Sequence, residues 1–66
     1  MKSKILKSIL ALKEIKLTEL SKEIGISYSA LYRKLRGTSA FNAIEIKKIS
    51  EILGLSDNEI INIFFN

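Results

Sequence analysis

Apolar residues along this chain recur three and four positions apart, the period of a helix with one buried face. Proline, the strongest helix breaker, is absent. The pattern predicts an all-α chain with helical segments in five places. Ile5, Ile9 and Leu12, flanked by Leu6 and Leu10, form one apolar face from about Lys2 to Lys13. Leu20 and Ile24 stand four apart on a second, short helix from Thr18 to Ile24. Thr18 is its expected N-cap, and Gly25 sits where a glycine relieves left-handed strain.

The third helix is expected to start at Ser27, with Ile26 and Leu31 as a hydrophobic staple, and to run to about Arg36 before Gly37 stops it. The fourth has the clearest start. Asn42 caps, Glu45 closes a capping box, and Phe41 and Ile46 are spaced to staple. Its predicted core face is Ile46, Ile49, Ile52 and Leu53, ending at Gly54. The fifth repeats the signature with Ser56 and Glu59, then Leu55 and Ile60, and continues through Ile63 and Phe64. Phe65 falls off that face.

Only Gly25, Ile26 and Ser27 separate the second helix from the third. So short a turn throws the third helix across the second, the helix-turn-helix arrangement in which the second member is offered to a major groove. Leu20, Ile24, Ile26, Leu31 and Leu35 are spaced to meet in one small core, with Ser21 as the small residue at the helix approach.

Charge strengthens this picture. The net charge is +4, from 11 basic and 7 acidic residues. No acid lies between Glu23 and Glu45, where Arg33, Lys34 and Arg36 fall, while Glu45, Glu51, Asp57 and Glu59 lie toward the C-terminus. A basic centre on a short helix points to a polyanion.

Composition narrows the alternatives. With 66 residues the chain is expected to be a single domain over 1–66, and 47% hydrophobic content supplies its core. The sequence has no cysteine and no histidine, which excludes a disulfide framework and an ordinary zinc site. No metal, cofactor or small-molecule effector is expected. No glycine-rich phosphate loop or clustered carboxylates support an enzyme, so no catalytic residue is assigned. No apolar run reaches a membrane span, and Lys7 interrupts the signal-like start. Lys2, Lys4, Lys7 and Lys13 could suggest a membrane-surface helix, but a domain this small must bury the opposite face. The expected location is the cytoplasm of a bacterium, and Met1 with the early stop fits a small natural protein.

The stretch LTELSKEIGISYSALYRKLRG, Leu17 to Gly37, resembles the helix-turn-helix signature of the phage repressor and Cro-type (XRE-like) regulators. Ser21, Gly25 and Leu31 occupy that family's small, turn and apolar places, and the flanking helices follow its order. Ser21 stands where alanine is usual, so its hydroxyl needs a local partner. Leu35 lies one place later than in many relatives, which puts Lys34 at a position often apolar. GISYSALYR also resembles the lactose-repressor-type headpiece, but that motif lies at the very N-terminus, whereas a full helix precedes it here.

The resemblance implies a compact five-helix domain of the phage repressor DNA-binding type, inserting its third helix, about residues 28–36, into the major groove of double-stranded DNA. By motif position Tyr28, Ser29, Tyr32 and Arg33 are the expected base-contacting set. Lys16, Thr18, Ser27, Lys34, Arg36, Thr38 and Ser39 are the expected phosphate-contacting set. Competing readings place Tyr28 as a rim residue over Ile24 and Tyr32 over the fourth helix. The implied function is a sequence-specific transcriptional regulator, a Cro-like repressor of phage or prophage origin. A homodimer on its operator would form through Ile63 to Phe65. The alternative is a protein-interaction module, an antitoxin or antirepressor, on the same fold.

Overall fold

The computed structural model describes residues 1–65 and folds them into five α-helices: α1 (Ser3–Leu12), α2 (Leu17–Ile24), α3 (Tyr28–Leu35), α4 (Ala43–Leu53) and α5 (Asp57–Phe64). Side chains set the starts of the last three. Ser27 Oγ accepts from the Ala30 amide at 3.0 Å. Asn42 and Glu45 form a reciprocal capping box on α4, and Ser56 and Glu59 form another on α5. Each satisfies amides that the first helical turn leaves free, and loss of such a cap costs about 1 kcal/mol.

The C-terminal ends of α1 to α4 share one device. A residue with positive φ follows the helix, and the next amide reaches back five residues. Ile15 donates to Leu10, Ile26 to Ser21, Thr38 to Arg33 and Leu55 to Ser50, at 2.9–3.0 Å. Gly25 and Gly37 provide the positive φ at two of these ends, where a side chain would be strained. At the end of α1 that place is taken by Glu14, with φ 57°.

One core joins all five helices: Leu6, Leu10, Leu20, Ile24, Leu31, Leu35, Ile49, Leu53 and Ile63. α2 packs on α3 and α4, and α5 packs on α1 and α4. Burying each of these side chains contributes roughly 1.5–3 kcal/mol. The Lys2 amide also donates to the Ile63 carbonyl at 2.8 Å, tying the start of the chain to the end of α5. Among the described residues no helix is long and apolar enough to cross a membrane.

Three expectations are corrected. Leu12 is 84% exposed, because the buried stripe of α1 centres on Leu6 and Leu10 and Leu12 lies beyond its edge. Thr18 does not cap α2. The helix starts one residue earlier, with Lys16 in the extended cap conformation and no side-chain cap bond. Ile15 and Leu17 both pack on the core and set that start, outweighing the ~1 kcal/mol a threonine cap offers. Ile46 is half-buried and lines a groove between α4 and α5, so the core face of α4 begins at Ile49.

Candidate nucleic-acid interface

The turn Gly25–Ile26–Ser27 fixes where α3 emerges. Gly25 takes φ 79°, Ile26 packs on the core, and Ser27 turns the chain into the next helix in an extended conformation. Ser21 fits the close approach of α2 because its hydroxyl donates to the Thr18 carbonyl at 2.9 Å. Leu31 and Leu35 are buried and anchor α3.

At about 100° per residue the rest of α3 divides cleanly. Ala30, Leu31, Lys34 and Leu35 occupy the protein side and are buried or half-buried. Tyr28, Ser29, Tyr32, Arg33 and the cap residue Arg36 share an exposed arc of roughly 140°. That arc carries two cations and no acid.

The arc has two rows. Tyr28 and Tyr32, 47% and 44% exposed, stack with ring centroids 6.4 Å apart. Arg36 lies with its guanidinium carbon 5.7 Å from the Tyr32 ring centre, so cation and ring hold each other in place. Tyr32 is thus engaged with its neighbours on α3. Ser29 and Arg33 form the second row, four residues apart and exposed.

The expected phosphate ligands fall on both flanks. Lys16 and Thr18 are exposed at the start of α2, where no side chain caps the first amides. Thr38 and Ser39 are exposed on the loop between α3 and α4. The Ser27 hydroxyl already accepts from Ala30, which leaves its proton available to donate.

Lys34 departs from its expected role. Its ammonium donates to Glu45 Oε1 at 2.9 Å and to the Ala40 carbonyl at 3.0 Å, and lies 5.8 Å from the centre of the Phe41 ring. The two side chains are only 16% and 9% exposed. Glu45 Oε1 also accepts from the Asn42 amide at 2.9 Å, so one oxygen serves the helix cap and the ion pair together. Burial pushes the Glu45 carboxyl up, but the Asn42 amide and the charges of Lys34 and Lys48 outweigh it and hold the carboxyl below its ordinary range. The sequence signal for this pair was the placement of Lys34 at an often apolar position. What it did not specify was the partner.

Ile63 is also misplaced by the expectation of a contact surface from Ile63 to Phe65. It is fully buried, and Phe64 packs edge-on against Phe41 with centroids 5.6 Å apart. Phe65, 68% exposed, is the apolar side chain of that trio left at the surface.

The exposed, acid-free arc of α3, flanked by the open start of α2 and a hydroxyl-bearing loop, can accept the edge of a polyanionic duplex. A search of curated proteins and one of solved structures each give no significant match. A family model does match, over residues 5–65, and it describes the Cro/C1-type HTH DNA-binding domain. The chain belongs to the Cro/C1-type helix-turn-helix DNA-binding family.

Proposed function

We propose that the chain is a sequence-specific transcriptional regulator, a Cro-like repressor of phage or prophage origin acting in the bacterial cytoplasm. α3 enters the major groove and reads bases with Tyr28, Ser29, Tyr32 and Arg33. Lys16, Thr18, Ser27, Arg36, Thr38 and Ser39 hold phosphates on either side. The observation that carries this reading is the shared exposure of Tyr28, Ser29, Tyr32, Arg33 and Arg36 on one arc without an acid. Arg33 binds guanine O6 and N7 bidentately, contributing about 1–3 kcal/mol of discrimination.

Size argues for two copies per operator. Half-sites lie about 34 Å apart, whereas the longest dimension of the chain's Cα trace is 27 Å. One copy therefore reads one half-site, and a second covers the other. The exposed Ile44, Ile61 and Phe65 supply apolar surface for the pairing.

The experiment is a fluorescence titration with a duplex selected from random sequence, repeated between about 50 and 200 mM salt. The reading predicts a steep fall of affinity with salt and a clear preference for the selected duplex over a scrambled one. A shallow salt dependence, or equal affinity for both duplexes, overturns it.

The exposed apolar trio also favours a second reading, a protein-interaction module such as an antitoxin or antirepressor. Under it, Phe65→Ser abolishes activity while Arg33→Ala leaves it intact.

A further inference from the structure

The α3–α4 loop is held at both ends by bonds of different kinds. At its start the Thr38 amide donates to Arg33 and the Gly37 amide to Lys34, at 3.0 and 3.1 Å. At its far end the Lys34 side chain reaches across to the Ala40 carbonyl and to Glu45. Lys34 thus contacts the loop twice, once through its backbone carbonyl and once through its ammonium. Glu45 in turn holds the Asn42 amide, so α4 begins at a place fixed relative to α3. Between these anchors Thr38 and Ser39 stay exposed.

We propose that Lys34 is a positioning residue for DNA binding: by clamping Ala40 and Glu45 it presets the α3–α4 loop, so that Thr38 and Ser39 meet a phosphate without first being ordered. The inference rests on the DNA-binding reading above. Its physical basis is preorganisation. A loop already in its bound conformation does not lose conformational freedom on binding, and affinity rises without any contact from the residue that orders it. Two of the three ammonium donors are already committed and the side chain is only 16% exposed, so full engagement with a phosphate in solvent would draw the ammonium away from Glu45. That would leave a carboxylate almost without solvent and without its cation.

The test compares wild type, Lys34→Met, Thr38→Ala and the double variant, using the selected duplex at several salt concentrations. Methionine keeps most of the stem and removes the charge. The expected result for Lys34→Met is a loss of affinity of about 3- to 10-fold, with the salt slope of wild type. Thr38→Ala should matter less in the Lys34→Met background than in wild type, since the loop no longer presents Thr38 correctly. A salt slope lower by about 0.9, with the two substitutions additive, would make Lys34 a phosphate ligand and overturn the proposal. Unchanged affinity alongside a lower melting temperature would leave it a purely structural residue and overturn it equally.

Glu45→Gln supplies a second arm if Lys34→Met does not fold, because glutamine keeps the acceptor for Asn42. Weaker binding, despite the loss of a negative charge, supports positioning. Tighter binding with a steeper salt slope contradicts it. Absence of salt-dependent binding by wild type itself identifies failure of the DNA reading instead, and the proposal falls with it.

Discussion

Lys34 and Glu45 meet at 2.9 Å across the boundary between α3 and α4, and the same Glu45 oxygen completes the cap of α4. Two elements adjacent in sequence are thereby locked by one nearly buried ion pair. Because Glu45 is held below the ordinary glutamate value of 4.5 in the folded chain, its contribution to stability is full above that value. It is lost as the pH falls below 4.5 through the folded-state value. Chemical denaturation followed by circular dichroism should show stability falling over this acid range. Glu45→Gln should flatten the dependence and lower stability near neutrality by about 1–2 kcal/mol.

Arg33 and Arg36 should separate on DNA. Arg33→Ala is expected to cost about 1–3 kcal/mol on the preferred duplex and to relax specificity at one base pair, with little change in salt slope. Arg36→Ala should weaken binding to all sequences alike and lower the slope by about 0.9. Titrations against the selected duplex and its single-base variants measure both.

Glu14 carries a left-handed backbone at the end of α1, where α2 to α4 use glycine. Its strain is removable, since glycine adopts φ 57° without steric penalty. Glu14→Gly should therefore raise stability by about 0.5–1 kcal/mol, read as a higher denaturation midpoint with an unchanged slope.

Leu10 and Leu12 lie two residues apart on α1 with opposite fates, 3% and 84% exposed. Leu10→Ala should cost about 2–4 kcal/mol. Leu12→Lys should stay within about 0.5 kcal/mol of wild type. Thermal unfolding of the two variants checks the rotation of the helix directly.

Local signals made most of the fold legible. The capping boxes at Asn42–Glu45 and Ser56–Glu59 placed α4 and α5, because a cap needs only neighbours in sequence. Leu20, Ile24, Leu31 and Leu35 form part of the core as their spacing required. What was missed depended on contacts between distant segments. The start of α2 follows from where Ile15 and Leu17 meet the core, and no local rule ranks that above a threonine cap. Leu12 sits within an apolar pattern broad enough to permit two rotations of α1, and packing of Leu6 and Leu10 into the shared core selects one. In sequence Lys34 is one more cation beside Arg33 and Arg36, and its partner Glu45, 11 positions along, is set by where the fold places α4 relative to α3. The exposed arc of α3 was legible because helical geometry alone separates Tyr28, Ser29, Tyr32 and Arg33 from the anchoring leucines.

Contact of the outward arc of α3 and its flanks with DNA can be read residue by residue, by mapping amide chemical shifts while the selected duplex is added to the labelled protein. Contact by α3 predicts that the largest changes fall on Lys16 to Thr18 and on Ser27 to Ser39, with smaller ones at Ile44, Ile61 and Phe65 where two copies pair. Changes concentrated on Ile44, Ile61 and Phe65, with Tyr28 to Arg36 unmoved, would contradict it.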